Sequence, residues 1–184
     1  MIDSHTQSES SILVMDADAI RRALRRIAHE IIERNPELGQ VVLAGIPSRG
    51  NEIAQRIAQT ISSIEKIELA LGVIDVAMHR DDVGRRAELP PVRPSSLPLP
   101  LENRTVIIVD DVLYTGRTVR AAMDAITSFG RAAKIQLAVL VDRGHRELPI
   151  RADYVGKNVP TAANERVRLR LGKDKEGVWL VRKA

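Results

Sequence analysis

The sequence predicts an α/β fold in which a mostly parallel sheet is flanked by helices, and three observations lead to this prediction. Short runs of valine, isoleucine and leucine are bounded by turn residues, which is typical of strands buried on both faces. Segments with helical spacing of apolar residues alternate with these runs, as parallel strands require. The aromatic fraction is only 2%, so the core must be aliphatic.

The length of 184 residues suits one domain with a single core. We predict a disordered polar tail over residues 1–11 and one domain over residues 12–184. No apolar run approaches the roughly 20 residues that span a bilayer, and the start of the chain lacks the pattern of a secretion signal. Because the chain contains no cysteine, disulfides and thiolate metal sites are excluded. We therefore expect a cytoplasmic protein with no membrane partner.

The first half of the chain contains a predicted helix, strand and second helix. Asp16 is a favoured cap for a helix that runs to about Asn35. The spacing of its apolar residues predicts one buried stripe, which consists of Ile20, Leu24, Ile27 and Ile31. At 100° per residue, the opposite side then carries Arg22, Arg25, Arg26 and His29. A strand over residues 41–46 follows, and isoleucines at 53, 57 and 61 mark a helix after a loop at 47–50.

The second half repeats the strand and helix unit. A strand over residues 73–78 leads into a long polar loop over residues 79–104 that contains five prolines. A strand over 105–109, a helix over 117–129 that ends at Gly130, and a strand over 135–141 come next. Short strands at 153–155, 167–171 and 178–181 are expected to form a small hood or edge sheet.

The segment from residue 106 to residue 118 carries the clearest chemical signal. Asp110 and Asp111 stand at the carboxyl end of a buried strand, and a turn with Thr115 and Gly116 then opens a helix. Backbone amides and the positive end of the helix dipole would converge there, which suits a phosphate. The adjacent carboxylates could accept hydrogen bonds from sugar hydroxyls. The pattern therefore predicts a ribose phosphate site.

The same residues have a simpler explanation. Asp110 and Asp111 could merely cap the next helix, and Thr115 and Gly116 could form an ordinary turn, because these residue types are frequent at caps and turns. The segment does not match GxGxxG or GxxxxGK[ST], so dinucleotide and P-loop binding lose their main support. Residue pattern alone leaves both interpretations open.

Three stretches carry a resemblance to a known family. They are Ala19-Ile20-Arg21-Arg22-Ala23-Leu24 with Ile27-Ala28-His29-Glu30, then Asp110-Asp111-Val112-Leu113-Tyr114-Thr115-Gly116-Arg117-Thr118, and Leu140-Val141-Asp142-Arg143-Gly144-His145-Arg146-Glu147 with its continuation to Tyr154. The second resembles the 5-phosphoribosyl-1-diphosphate (PRPP) signature of type I phosphoribosyltransferases. From about residue 12 to 167 the chain resembles the PyrR family, pyrimidine operon attenuators with uracil phosphoribosyltransferase activity.

This resemblance implies the type I phosphoribosyltransferase fold with a small hood and a flexible flap loop over about residues 79–104. It also implies conversion of uracil and PRPP to UMP and diphosphate, Mg²⁺ as cofactor, and a homodimer or larger homo-oligomer. The implied catalytic residues are Arg49, Arg80, Asp82, Asp110 and Asp111. The implied PRPP and UMP contacts are Ser48, Arg49, Asp110, Asp111, Val112, Leu113, Tyr114, Thr115, Gly116, Arg117, Thr118, Arg143, Tyr154 and Val155.

Within this set, each group has an implied role. Asp110 and Asp111 would hold the ribose hydroxyls and could also contact a substrate-bound Mg²⁺, while residues 113–118 would wrap the 5′-phosphate. Residues 48–50 would form the diphosphate loop, and Arg80, Asp81 and Asp82 would act from the flap. Arg143 would contact an exocyclic oxygen of the pyrimidine, and Tyr154 and Val155 would stack on it and hydrogen-bond to it. Residue type alone leaves Tyr154 equally open as a core aromatic and Arg143 as a surface charge. Two departures from the family pattern stand nearby: His79 replaces a tyrosine, and Pro47-Ser48 replaces Lys-Thr.

A net charge of +4 makes an anionic partner plausible. Charge pattern alone favours a simpler explanation than a nucleic-acid partner, namely a solvated helix face together with a charged loop. The resemblance instead implies binding to an RNA stem-loop of the pyrimidine messenger leader. The implied RNA contacts are Arg22, Arg25, Arg26, His29, Arg34, His145, Arg146, Arg151 and Lys157. We expect Arg26 and Arg146 to lie away from the ribose phosphate site.

Three functional interpretations remain at this point. The chain is a bifunctional enzyme and RNA regulator, a regulator whose catalysis is vestigial, or a phosphoribosyltransferase that uses a purine base. The intact segment from Asp110 to Thr118 argues against vestigial catalysis. The match around Arg143 and Tyr154 argues, less strongly, against a purine substrate.

Overall fold

The computed structural model describes residues 10–47, 49–76, 94–172 and 175–182, and within them five parallel strands form the main sheet. In chain order the elements are β1 (Ser10–Asp16), α1 (Ala17–Arg34), a 3-10 turn (Leu38–Gln40), β2 (Val41–Gly45), α2 (Arg49–Glu65), β3 (Ala70–Val73), β4 (Thr105–Leu113), α3 (Arg117–Phe129), β5 (Lys134–Asp142), β6 (Tyr154–Asn158), β7 (Glu165–Arg170) and β8 (Gly177–Arg182). The main sheet has the order β3-β2-β4-β5-β6. A smaller antiparallel sheet has the order β1-β8-β7.

The helices cover both faces of the main sheet, as predicted. Apolar side chains of α1 and α2 pack with one set of strand residues, which includes Leu43, Ile107 and Leu140. Apolar side chains of α3 pack with the alternate set on the opposite face, which includes Ile108 and Val139. Because β2 and the centre of β4 are buried on both faces, their sequences are continuous apolar runs. The predicted fold class is confirmed.

Helix α1 has the predicted cap and the predicted buried stripe. Asp16 Oδ1 accepts a hydrogen bond from Ala19 N at 2.7 Å, which satisfies one of the amide groups of the first turn. The stripe is wholly buried, with Ile20, Ile27 and Ile31 each 0% exposed. The arginines therefore face away from the core, as their spacing indicated.

Three boundaries differ from the predictions because tertiary contacts set them. Strand β3 spans Ala70–Val73, so residues 74–76 of the strand expected over 73–78 lie beyond it, and residues 77–78 fall outside the described residues. At the end of β3, Val73 exchanges two backbone hydrogen bonds of 2.8 Å with Ser96. Strand β4 continues to Leu113, four residues beyond the expected end, because Val112 and Leu113 still pair with β5. Helix α2 already begins at Arg49, so Arg49 and Gly50 belong to a helical turn and not to a loop.

The ends of the chain differ most from the predictions. Ser10 and Ser11, which we expected in the disordered tail, belong to β1 and pair with Arg182 and Val181 of β8. Strand β6 pairs in parallel with β5 and extends the main sheet, so the expected strand at 153–155 is not part of the hood. The hood is the β1-β8-β7 sheet. Within the described ranges, no helix has the length and apolar character needed to cross a membrane.

Candidate functional site

The candidate site lies at the carboxyl edge of the main sheet, where β4 ends between the first turns of α2 and α3. Ile46, just after β2, donates its amide to the Val109 oxygen at 2.9 Å, and this bond joins the two strand ends. A Cβ added to Gly50 would overlap that same Val109 oxygen. Only glycine therefore lets the start of α2 approach the acidic end of β4 so closely.

The two aspartates at the end of β4 have different surroundings. Asp110 is only 8% exposed, and its Oδ1 accepts a hydrogen bond from Asp111 N at 2.8 Å. Asp111 is more accessible, with Oδ1 bonded to Val112 N at 2.8 Å and Oδ2 placed 3.4 Å from Arg49 Nη1. Neither aspartate caps α3, since Gly116 occupies that position. The simpler interpretation of the acidic pair as a helix cap is therefore wrong.

Residues 114–116 form the turn between β4 and α3, which we call the phosphate turn. Gly116 has φ 93°, a left-handed conformation that favours glycine. It provides no side-chain cap, and the first turn of α3 has no acidic residue, so the positive end of the helix faces the open edge. Val112 and Leu113 lie in β4 rather than in this turn, and Leu113 is 2% exposed in the core. The buried Leu113 side chain is turned away from a phosphate, so only its backbone is placed to take part, and the expected wrapping of the 5′-phosphate by residues 113–118 stays a prediction.

The segment after β5 supports the phosphate turn from outside. The Thr115 oxygen accepts hydrogen bonds from Glu147 N at 3.0 Å and Leu148 N at 3.1 Å. Arg117 Nε is paired with Glu147 Oε2 at 2.7 Å. A Cβ on Gly116 would come within 3.3 Å of the Ile150 side chain, so the packing here is tight. These contacts hold the turn in one conformation.

Arg146 is part of this support, although we expected it to lie away from the site. Its Nη1 donates to the Tyr114 oxygen at 2.8 Å and to the Gly144 oxygen at 3.2 Å, and its Nε donates to the Ile150 oxygen at 3.0 Å. Its Nη2 is paired with the Asp142 carboxylate. Burial alone would raise the pKa of Asp142, but hydrogen bonds from Arg146 and the Gly144 amide outweigh it and lower that pKa. The expected placement of Arg146 is therefore wrong.

Arg143 is a buried side chain with structural contacts. It is 7% exposed, and its Nε donates to Thr161 Oγ1 at 3.1 Å while Nη2 donates to the Glu165 oxygen at 2.8 Å. Its guanidinium lies 4.0 Å from the centroid of the Tyr114 ring, a cation–π contact. These contacts join the phosphate turn to the hood and do not support the expected role of Arg143 at the pyrimidine oxygen. No pattern in the sequence around Thr161 indicated that its hydroxyl would accept a hydrogen bond from Arg143.

Tyr154 lies in the core and not at the open edge. It is 0% exposed, and its hydroxyl accepts from Asn35 Nδ2 at 2.9 Å and donates to Gln136 Oε1 at 3.1 Å. Because Gln136 lies near the amino end of β5, this hydroxyl points away from the carboxyl edge. The expected stacking of Tyr154 on a pyrimidine is therefore wrong. Val155, the next residue, packs half-buried against the α3 side of the sheet.

Several expected site residues lie outside the described residues. These are Ser48 of the diphosphate loop and the flap residues His79, Arg80, Asp81 and Asp82. The later part of the expected flap is described and is packed, because Leu97 and Leu101 are buried and Ser96 is bonded to β3. The flap prediction is thus wrong for residues 94–104, and it remains a prediction for residues 79–93.

Asp110 and Asp111 offer a limited set of ligands for a metal ion. Among the described residues, no group of three or more histidine, cysteine or acidic side chains could hold a metal. Two neighbouring carboxylates with hard oxygen atoms still fit Mg²⁺, which is commonly bound through one or two carboxylates together with water and substrate phosphates. The donor set therefore fits an ion that arrives with its substrate, and not a site formed by the protein alone.

The expected RNA contacts divide between two places. Arg26 Nη2 donates to the Val155 oxygen at 3.4 Å and also to the Gly156 oxygen, and Lys157 Nζ donates to the Val14 oxygen at 2.8 Å. The Arg26 bonds join α1 to β6, whereas the Lys157 bond joins β6 to β1. The exposed cations of α1 and β6 form what we call the α1–β6 basic surface, which comprises Arg22, Arg25, Arg26, His29, Arg34 and Lys157. His145 and Arg146 instead lie beside the phosphate turn, where the His145 ring contacts the Tyr114 ring edge-on at 6.2 Å. Arg151 is exposed just before β6.

Comparisons with known proteins agree with this geometry. Residues 14–169 match the model of the phosphoribosyl transferase domain. A bifunctional protein PyrR from Roseiflexus is 55% identical over 172 residues, covering 92% of this chain and 94% of the relative. The chain belongs to the PyrR family. A second PyrR, from Chloroflexus aurantiacus, is 58% identical over 165 residues and 90% of each chain, and one from Bacillus pumilus is 52% identical over 165 residues, covering 89% of this chain and 92% of that PyrR.

Solved structures support the fold of this PyrR-family chain. A hypoxanthine phosphoribosyltransferase from Trypanosoma cruzi superposes with a TM-score of 0.71 at 18% identity, covering 94% of this chain and 97% of that chain. Another from Staphylococcus aureus has a TM-score of 0.64 at 20% identity, covering 82% and 79%. At these identities the likeness shows the type I phosphoribosyltransferase fold alone, which confirms that prediction.

Proposed function

We propose that this PyrR-family chain is a uracil phosphoribosyltransferase and a UMP-dependent RNA-binding regulator of pyrimidine gene transcription by attenuation, acting in the cytoplasm. One observation carries the enzymatic half. The accessible Asp111 carboxylate, the Arg49 guanidinium 3.4 Å away and the start of α3, where Gly116 holds the cap position, converge on one edge of the sheet. A phosphorylated sugar presents hydroxyls, a diphosphate and a 5′-phosphate to these groups.

The reaction needs positioning and charge stabilisation, with no covalent nucleophile. Uracil N1 gives up its proton and forms a bond to the anomeric carbon of PRPP as the bond to diphosphate breaks, and the proton leaves with diphosphate or to solvent. Positive charge develops on the sugar and negative charge on the leaving group. Asp110 and Asp111 would accept the ribose hydroxyls, and the amides of the phosphate turn and of the start of α3 would hold the 5′-phosphate. Arg49 would contact the departing diphosphate. This arrangement would orient PRPP for in-line attack.

Mg²⁺ is the proposed cofactor, and Asp110 and Asp111 are the residues that fit it. When bound, the ion would neutralise charge on the diphosphate oxygens. Because the donor set here is small, the residues of this chain would act mainly on ligands that the substrate brings with it. Arg49 would keep Asp111 oriented before the substrate arrives, since the two side chains already lie together.

A panel of bases tests the enzymatic half. Uracil, hypoxanthine and guanine would each be incubated with PRPP and Mg²⁺, and diphosphate release would be measured. Uracil should react and the purines should not. Reaction of a purine without reaction of uracil would overturn the assignment. If none of the three bases causes release of diphosphate, the protein is a regulator with vestigial catalysis.

The regulatory half is supported by the α1–β6 basic surface. Its cations should release counterions from RNA, so affinity should fall as salt rises. A ligand that favours the RNA-binding state must raise RNA affinity reciprocally, so UMP should tighten binding to a pyrimidine-leader hairpin. Filter binding with the leader hairpin and a scrambled hairpin, each with and without UMP, measures this. Equal binding of both hairpins in all conditions would overturn the regulatory half.

We also propose that the protein assembles as a homodimer or a larger homo-oligomer. Leu71 on β3 is 44% exposed and the nearby Ile67 is 38% exposed. A second copy of the chain would cover these exposed apolar side chains. Light scattering over a range of protein concentrations measures the molar mass. A monomer at every concentration would overturn this proposal.

A further inference from the structure

The outward face of the β1-β8-β7 sheet carries a row of arginines that the expected RNA contacts do not include. Arg166, Arg168 and Arg170 alternate along β7 and are exposed, whereas Leu169 between them is 1% exposed in the core. Because side chains alternate between the faces of a strand, the three arginines share one face at spacings of about 6.7 Å along the strand. Exposed Lys175 precedes β8. The face is therefore a dense row of cations.

Trp179 of β8 stands in the middle of this face. It pairs in register with Arg168 on one side and with Leu13 on the other. A Cβ added to Gly177 would lie 2.8 Å from Trp179 Cη2, so the indole ring leans over Gly177 along its own strand. The Arg170 guanidinium lies 5.4 Å from the ring centroid. The face thus presents two planar groups, an indole and a guanidinium, next to each other.

These groups surround a shallow groove of about 180 Å³. Its lining residues are Ser11, Arg168, Arg170, Lys175, Trp179 and Val181. Two described carboxylates near the groove bind elsewhere: Glu165 is bonded to Arg182 at 2.8 Å and to the Ala162 amide, and Glu176 is paired with Arg56 at 2.5 Å. The described lining of the groove contains only cationic, aromatic, apolar and hydroxyl side chains. It therefore suits an anion that carries a flat apolar group.

We propose that this face, the Trp179 surface, is a second RNA contact that binds an unpaired segment. Bases of single-stranded RNA stack on aromatic rings and arginine planes, while their phosphates contact lysines and arginines. Charged side chains on an edge strand such as β7 also prevent edge-to-edge association. That purpose alone would need no tryptophan on the neighbouring central strand. This proposal takes one thing from the proposed function, namely that the partner is RNA.

The composition of the chain provides a direct probe of this surface. The sequence contains one tryptophan, so the intrinsic tryptophan fluorescence reports on Trp179 alone. Titration of the full chain with a short oligoadenylate should quench this emission, because a base stacked on the indole changes its surroundings. Oligoadenylate contains no uracil and forms no hairpin, so it offers neither the base expected at the proposed nucleotide site nor the fold expected at the α1–β6 basic surface, and quenching of Trp179 reports its contact with the Trp179 surface itself.

Two variants and one control complete the experiment. Arg168→Gln with Arg170→Gln should abolish most of the quenching and reduce the salt dependence of single-strand binding by about 1.4 in logarithmic slope. Trp179→Leu should weaken binding of fluorescently labelled oligoadenylate at least about fivefold. Lys66→Gln with Arg131→Gln removes the same charge from exposed positions outside the α1–β6 basic surface and the Trp179 surface. This control should change neither the quenching of Trp179 nor the affinity for oligoadenylate. Thermal unfolding of each variant checks that the fold is retained.

The outcomes separate this proposal from the proposed function. If the leader hairpin binds but oligoadenylate neither quenches Trp179 nor responds to the arginine variants, the Trp179 surface is wrong and the regulatory function stands. If quenching occurs with the expected variant effects while no hairpin binds, the hairpin function fails and the Trp179 surface stands. Emission that changes with protein concentration alone would show that a second copy covers this face, which also overturns the proposal.

Discussion

Arg146 donates a hydrogen bond to the main-chain oxygen of Tyr114, at 2.8 Å between Nη1 and O, and so joins the segment after β5 to the phosphate turn. A residue that the family resemblance places in RNA recognition therefore also holds a loop of the proposed active site. Loss of its side chain would leave the Tyr114 and Ile150 oxygens and the Asp142 carboxylate without that donor. Arg146 acts on the substrate only through the turn, as a positioning residue.

Arg146→Ala should raise the KM for PRPP about tenfold, because small displacements of a positioning group weaken substrate alignment strongly. Steady-state kinetics of uracil phosphoribosylation and hydrogen exchange over residues 114–118 would measure the effect. Arg146→Lys should restore part of the affinity by keeping a cation beside Asp142. The matched control is Arg151→Ala, an exposed arginine nearby. Unchanged KM and exchange in Arg146→Ala would exclude the positioning role.

The Asp142 carboxylate should report on the same contact through its pKa. In the folded protein its pKa lies below the usual 3.8, since hydrogen bonds from Arg146 and the Gly144 amide outweigh burial. This group therefore stabilises the fold above pH 3.8, and that stabilisation is lost as the pH falls through the lowered pKa. In Arg146→Ala the pKa should rise, because burial remains. Carbon NMR titration of Asp142 measures it, and equal values in the two proteins would contradict the assignment.

Asp111→Asn should weaken UMP binding roughly tenfold, because a carboxylate that accepts sugar hydroxyls is replaced by a near isostere without charge. The free energy of unfolding should change by less than about 1 kcal/mol, since the pair with Arg49 is partly exposed. Isothermal calorimetry and urea unfolding measure the two quantities. Asp124→Asn, on the exposed side of α3, is the control with the same chemical change. Equal affinity in both variants would remove the ribose role.

Tyr154→Phe should reduce stability without affecting UMP binding. The variant keeps the buried ring but loses the hydroxyl that contacts both Asn35 and Gln136, which should cost about 1–2 kcal/mol. Urea unfolding would show the loss, and calorimetry would show an unchanged UMP affinity. A weaker UMP affinity with unchanged stability would return Tyr154 to the base-binding site.

Gly50→Ala should damage both the fold and the site. The new methyl group would overlap the Val109 oxygen, so α2 must shift away from β4 and carry Arg49 away from Asp111. Overpacking of this kind costs about 1–3 kcal/mol, and the KM for PRPP should rise with it. Gly39→Ala is the control, because a Cβ at Gly39 meets nothing within 4 Å. If both variants unfold at the same urea concentration, the close approach at Gly50 is not structurally important.

The parts of the fold that were predictable from the sequence are those with local causes. Helix α3 was predicted over residues 117–129, its observed range, because glycines flank an amphipathic segment on both sides. The acidic pair and Gly116 were likewise found from a strand that ends in polar residues before a turn. By contrast, β1 could not be predicted, since β8, its strand partner among the described residues, is about 165 residues away in the sequence.

The errors at the candidate site arose where a side chain has two available environments. A motif match places Tyr154 on a strand but does not say which face it occupies, and the structure puts it on the buried one. Arg143 and Arg146 were read as cations available to a ligand because a sequence shows charge and not hydrogen-bond partners. Arg146 also has acceptors close by in the sequence, but the Tyr114 oxygen that it binds and the Thr161 and Glu165 oxygens that Arg143 binds are brought near only by the folded chain.

The antiparallel pairing of β1 with β8 also has a consequence for the order of events on the ribosome. At roughly 5–20 residues per second, β1 emerges about ten seconds or more before β8 is synthesised. During this interval Ile12 and Leu13 have no strand to pair with, while most of the main sheet can already assemble. The Trp179 surface would then appear last, so a nascent chain could acquire its nucleotide site before its RNA-stacking platform.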